Sequence, residues 1–84
     1  MGALLATRLE AVVSVRDIHI HQGRERVECS IESEDGQTLY LYEGQLKEVR
    51  GAPTFEKGKR YKLTFAPYVN NCWIEVKLVG VSPA

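Results

Sequence analysis

The chain has 84 residues, of which 44% are hydrophobic and 26% are charged, and its 11 basic and 11 acidic side chains cancel. This length corresponds to one small domain, residues 1–84, with loose termini expected at residues 1–7 and 82–84. A net charge of zero excludes a uniformly basic surface, so any binding of nucleic-acid phosphates has to depend on uneven placement of charge.

The apolar runs of the chain are short. None approaches the length of a membrane-spanning helix, and the run at residues 1–7 is too short for a signal peptide and is followed at once by Arg8. We therefore expect a cytoplasmic protein with no membrane partner.

Residues 9–21 predict a long first strand with a bulge. Apolar residues occupy odd-numbered positions as far as Val15 and even-numbered positions from Ile18 onward. Because one extra residue turns every later side chain to the opposite face, this change of phase indicates a β-bulge at Arg16–Asp17.

Two strands at residues 26–33 and 38–42 follow, joined by a hairpin at Asp35–Gly36. Both strands alternate apolar and polar residues, and their inward positions are Val27, Cys29, Ile31, Leu39 and Leu41. The same alternation leaves Tyr40 and Tyr42 outward.

Residues 43–59 show no strand pattern. One or two turns of helix at residues 45–50, or an irregular connector, fit this stretch. In either form we expect Leu46, Val49 and Phe55 to cover one open end of the sheet.

The last two strands are predicted at residues 61–65 and 72–78, with a turn at residues 67–71 that contains proline and asparagine. Trp73 is outward by alternation, and the inward positions are Tyr61, Leu63, Phe65, Cys72, Ile74, Val76 and Leu78. Both cysteines of the chain are thus expected to act as small apolar side chains, with a disulfide between adjacent strands as the alternative.

Four segments resemble parts of the OB-fold, a five-stranded Greek-key barrel. They are Val-Arg-Asp-Ile at residues 15–18, Val-Glu-Cys-Ser-Ile at 27–31, Asp-Gly-Gln-Thr-Leu at 35–39 and Gly-Lys-Arg-Tyr-Lys-Leu at 58–63. They are similar to the three-strand meander and the glycine-led fourth strand of OB domains that bind single-stranded nucleic acid. The resemblance implies an all-β fold, a small five-stranded OB-like barrel with a short helical or irregular connector between strands three and four.

In that family the ligand lies across strands two and three, between two flanking loops. The resemblance therefore implies a set of binding residues in this chain: Tyr40 and Tyr42 as stacking platforms, Arg24 and Arg26 as phosphate contacts, and Tyr68, Asn70 and Asn71 at the last loop. The outward positions of the final hairpin add Trp73 and a basic stripe of Arg60, Lys62 and Lys77.

The sequence favours non-catalytic binding of single-stranded DNA or RNA by aromatic stacking and a local basic rim. The alternative is a protein-interaction or assembly module, a homodimer or a complex with another protein, that uses the same aromatic face. No phosphate-binding glycine loop or nucleophile triad indicates an enzyme, and we expect no cofactor. His19 and His21 share a strand face, but without paired cysteine spacing we expect no metal site.

Overall fold

The computed structural model describes residues 3–33 and 35–84, and for residues 3 and 4 the backbone alone. Its elements are β1 (Ala3–Leu4), β2 (Leu9–His21), β3 (Arg24–Ile31), β4 (Thr38–Tyr42), α1 (Glu43–Lys47), β5 (Arg60–Asn70) and β6 (Trp73–Pro83). The prediction of an all-β fold is confirmed, since the five predicted strands appear as β2–β6 in one antiparallel sheet. No helix in the described ranges is long and apolar enough to cross a bilayer.

The sheet runs in the order β4, β3, β2, β5, β6, with β1 beside β2 on the same edge of β5. In the described part of the chain β4 and β6 do not pair with each other, so the sheet is open at these two outer strands. Helix α1 contacts both of them. The helix therefore spans part of the gap that separates the two ends of the sheet.

The predicted bulge in β2 is confirmed. The pairing of β2 with β3 shifts register between Val15 and Asp17, which leaves Arg16 as the extra residue. Residues 9–14 of β2 pair with β5, whereas residues 13–21 pair with β3. The bent strand consequently joins the two halves of the sheet.

The core is built from the inward positions that alternation predicts. Its buried members are Val13, Val15, Val27, Cys29, Leu41, Val49, Phe55, Tyr61, Leu63 and Leu78. Two of them, Val49 and Phe55, come from the connector, and Leu46 packs beside them, as expected. Each large aliphatic side chain removed from water contributes roughly 1.5–3 kcal/mol of burial free energy, so this cluster holds the sheet together.

Helix α1 begins earlier and is shorter than the predicted helix at residues 45–50. The backbone N–H of Tyr42 donates to Oε1 of Gln45 at 2.9 Å, and this bond caps the first turn directly at the end of β4. The helix ends at Lys47, and Gly51 with a positive φ of 71° turns the chain away.

The final hairpin is longer than predicted, and the predicted turn at residues 67–71 is wrong. Strand β5 continues through Pro67 to Asn70, and the turn is formed by Asn71, with φ 58°, and Cys72. Pro67 is tolerated because its carbonyl accepts a hydrogen bond from the Leu5 N–H at 2.9 Å. Its nitrogen therefore faces the same edge, away from β6, and no β5–β6 bond is lost.

Three inward predictions in this hairpin are also wrong, because the end of the hairpin extends beyond the core. Ile74 and Val76 are 71% and 53% exposed, and Cys72 is exposed in the turn. Both cysteines are free, so no disulfide joins Cys29 to Cys72.

Both expected loose termini are paired in part. Strand β1 pairs with β5, and Ser82 and Pro83 continue β6 opposite Lys62 and Tyr61. Met1 and Gly2 lie outside the described residues.

Candidate nucleic-acid interface

One half of the predicted site, formed by Arg24, Arg26, Tyr40 and Tyr42, lies on the outward face of β2, β3 and β4. Directly opposed residues of paired strands share a face. Two rows cross the three strands: His19, Arg26 and Tyr42 form one, and Asp17, Glu28 and Tyr40 form the other. We call this surface, together with the adjacent pair His21 and Arg24, the tyrosine face.

Arg26 is the centre of the tyrosine face. Its guanidinium carbon lies 4.3 Å from the centroid of the Tyr40 ring, in cation–π contact. Its Nε donates to Nε2 of His19 at 2.8 Å, so the neutral imidazole carries its proton on Nδ1, which lies 3.7 Å from Oδ2 of Asp17. This chain of contacts holds the guanidinium in place and uses one of its five N–H donors, and among the described residues no side chain or carbonyl accepts from the other four.

Tyr42 lies at the end of the face nearest the β2–β3 turn. A pocket of about 420 Å³ is lined there by His21, Gln22, Arg24 and Tyr42. Gln22 and Gly23 both have positive φ, the conformation of a tight two-residue hairpin turn, which fixes Arg24 opposite His21. Tyr40 and Tyr42 are 38% and 41% exposed, so both rings are accessible to a ligand.

Arg16, the bulge residue, belongs to the same face at its other end. Its guanidinium donates to Oγ1 of Thr38 at 3.2 Å and to Oγ of Ser30 at 3.3 Å. Arg16 is not among the predicted binding residues, although the bulge that contains it is predicted by the sequence. The phase change is the signal that could have found it, because a bulge re-aims a side chain.

The predicted basic stripe of the final hairpin is neutralised by ion pairs. Its three members each contact a carboxylate: Arg60 with Glu32 at 2.7 Å, Lys62 with Glu10 at 2.9 Å, and Lys77 with Glu48 at 3.4 Å. The hydrogen bond that Arg60 donates to Glu32, reinforced by the negative charge of that carboxylate, raises the pKa of Arg60. These positive charges are therefore already compensated within the chain.

Arg24 and Arg26, by contrast, form no ion pair with any described residue. The carboxylates of the tyrosine face, Asp17 and Glu28, lie in the Tyr40 row. The face thus has a positive end at the β2–β3 turn and an acidic middle.

The second half of the predicted site, which includes Tyr68 and Asn70, lies at the end of the final hairpin. Both of these side chains bind the carboxylate of Glu75. Tyr68 Oη donates to Oε2 of Glu75 at 2.6 Å, and Asn70 Nδ2 donates to the same oxygen at 3.2 Å. These two bonds lower the pKa of Glu75, and the bond with Glu75 raises the pKa of Tyr68. A phosphate at this loop would meet a negative charge.

The two halves are not brought together. Trp73 is 71% exposed, as predicted for an outward residue, and lies opposite Asn70. Within residues 3–33 and 35–84, however, β6 contacts neither β3 nor β4. The tyrosine face and the hairpin end are thus separate surfaces.

No group of three or more His, Cys, Asp or Glu side chains among the described residues could hold a metal ion.

Comparison with protein-family models, with curated proteins and with solved structures gives no match to this chain.

Proposed function

We propose that this chain binds single-stranded nucleic acid across the tyrosine face, as an OB-like module without catalytic activity. The observation that carries the proposal is the arrangement of Arg26, held over the Tyr40 ring by His19 with four N–H donors unused, beside the exposed ring of Tyr42. A planar cation next to two aromatic rings suits a ligand that alternates flat bases with phosphates.

The order of the strands supports this proposal. An OB barrel is partly open, and its ligand lies on the face of its second and third strands. Strands β3 and β4 take those places here, and the tyrosine face is formed by their outward side chains.

Each part of the face has a distinct role in the proposed complex. Bases stack on Tyr42 and on the Tyr40–Arg26 pair, at about 1–3 kcal/mol per base. Phosphates contact Arg24 and the unused N–H groups of Arg26. The carboxylates of Asp17 and Glu28 limit the number of phosphate contacts, so we expect modest affinity and a shallow dependence on salt.

Fluorescence anisotropy with a labelled single-stranded oligonucleotide tests the proposal. We expect Tyr40→Ala combined with Tyr42→Ala to weaken binding by at least about tenfold, since two stacking contacts are lost. Trp73→Ala is the matched control, an exposed aromatic outside the tyrosine face, and should leave affinity unchanged. Circular dichroism confirms that each variant keeps its sheet.

Two results would contradict the proposal. One is the absence of binding by the unaltered chain at low salt and micromolar concentrations. The other is an affinity that survives loss of both tyrosines but falls when Trp73 is replaced.

A further inference from the structure

The end of the final hairpin is an arm that projects from the core. Five consecutive β6 residues, 73–77, are all exposed, which places both faces of this part of the strand in solvent. One face is apolar, because Ile74 lies opposite Val69 and Val76 lies opposite Pro67. An exposed apolar outer strand of this kind is a site for pairing with another strand.

The backbone of the arm presents unused hydrogen-bonding groups at its outer edge. Opposed residues of an antiparallel pair direct their N–H and C=O groups either at each other or away from each other. Pro67 directs its carbonyl to Leu5, so Val76, which lies opposite it, directs its own groups outward. Ile74 and Leu78, two residues to either side, share this orientation, and among the described residues β6 pairs with β5 alone.

We propose that β6 pairs with β6 of a second copy of this chain, antiparallel, about a two-fold axis at Val76. The two sheets then become one continuous sheet in a homodimer. Such an interface is self-complementary, since each contact occurs twice. The inference is independent of nucleic-acid binding, because in the described part of the chain the arm does not contact β3 or β4.

The charges of Glu75 and Lys77 favour a two-fold axis at Val76 over an axis at either adjacent residue. A two-fold axis at Glu75 would place that carboxylate opposite the partner's Glu75, and an axis at Lys77 would oppose two ammonium groups. An axis at Val76 places Glu75 opposite the partner's Lys77, and by symmetry Lys77 opposite the partner's Glu75. Opposite charges in directly opposed positions favour a pairing, and like charges oppose it.

The contacts that Glu75 and Lys77 already make within the chain are compatible with the pairing of two β6 strands. Both hydrogen bonds that Glu75 accepts within the chain reach Oε2, so Oε1 is available to the partner's Lys77. The ammonium of Lys77 has three N–H donors, so it can keep its 3.4 Å contact with Glu48 and also meet the partner's Glu75. On the other face, the exposed side chain of Val76 meets the partner's Val76.

Sedimentation equilibrium of the full chain tests the dimer and its register. We expect concentration-dependent dimerisation, and we expect Glu75→Lys or Lys77→Glu alone to weaken it roughly tenfold, because symmetry introduces two like-charge contacts. The double exchange E75K/K77E restores the opposed charges and should bring the dissociation constant back to within about threefold of the original. Glu25→Lys, an exposed strand position outside the arm, is the matched control and should have no effect.

Val76→Pro supplies an independent measurement. Proline at this position removes an outward-facing N–H and leaves the β5–β6 bonds in place, so dimerisation should be lost while the circular dichroism spectrum is kept. A chain that stays monomeric at millimolar concentration would overturn the proposal. So would a dimer that survives Val76→Pro, or one that responds equally to the single reversals and to the double exchange.

Discussion

The guanidinium of Arg26 lies over the ring of Tyr40, with its central carbon 4.3 Å from the ring centroid. A lysine at position 26 would keep the charge but lose the planar group and the Nε–H that donates to His19. We therefore expect Arg26→Lys to weaken oligonucleotide binding about tenfold by anisotropy. Arg24→Lys keeps the charge at a position that has no stacking partner among the described residues, and it should cost less. Equal losses in the two variants would show that the stacked geometry is irrelevant.

Ion pairing decides which cations are available to phosphates. Arg24→Gln should reduce the slope of log affinity against log salt by about 0.7, the value for one phosphate contact on a single strand. Arg60→Gln should leave the slope unchanged, because Arg60 already bonds Glu32 at 2.7 Å. The measurement is a salt series for each variant, and the opposite ranking would place the nucleic acid on the final hairpin instead.

The two cysteines should differ sharply in reactivity. Burial, together with the nearby Glu28 carboxylate, raises the pKa of the Cys29 thiol to about 11, whereas Cys72 is exposed in the β5–β6 turn. Because the thiolate is the reactive form, we expect a disulfide reagent at neutral pH to modify one thiol in the folded chain and two after denaturation. Cys72→Ser should abolish the fast reaction, and rapid modification of both thiols in the folded chain would contradict the buried position of Cys29.

The hydrogen bond between Tyr68 and Glu75 should be visible in a carboxyl titration. It is the main reason that the pKa of Glu75 is lowered, so Tyr68→Phe should raise that pKa toward its ordinary range, as measured by NMR of the side-chain carboxyl carbon. A lowered folded-state pKa stabilises the fold above the unfolded-state pKa, about 4.3 for glutamate, and this contribution is lost as pH falls through the folded-state pKa. The stability difference between the two chains should therefore be present at neutral pH and vanish in acid. An unchanged Glu75 titration in the variant would show that the bond does not persist in solution.

Much of the fold follows from local pattern. Period-two alternation predicts the inward positions Val27, Cys29 and Leu41, and a single change of phase predicts the bulge at Arg16. Alternation cannot show how far the core extends along a strand. Ile74 and Val76 keep the inward phase but lie beyond the core, and Pro67 remains in its strand because its nitrogen faces a different edge.

The candidate site was less predictable, because it depends on residues far apart in the chain. Tyr40 and Tyr42 follow from alternation within one strand, and their rings are exposed as expected. The partners that neutralise Arg60 and Lys62 lie on β2 and just after β3, and no local pattern indicates those pairings. The contact of Arg26 with His19 likewise depends on the register of β2 against β3, which the bulge sets.

The most direct test of nucleic-acid binding at the tyrosine face is an NMR titration of the ¹⁵N-labelled chain with a short single-stranded oligonucleotide. We expect the largest amide shift changes at residues 24–28 and 38–42, with His19 and His21 on the neighbouring strand also affected. Residues 67–77 of the hairpin arm should change little. Shift changes confined to the arm, or none at all at millimolar oligonucleotide, would contradict binding at the tyrosine face.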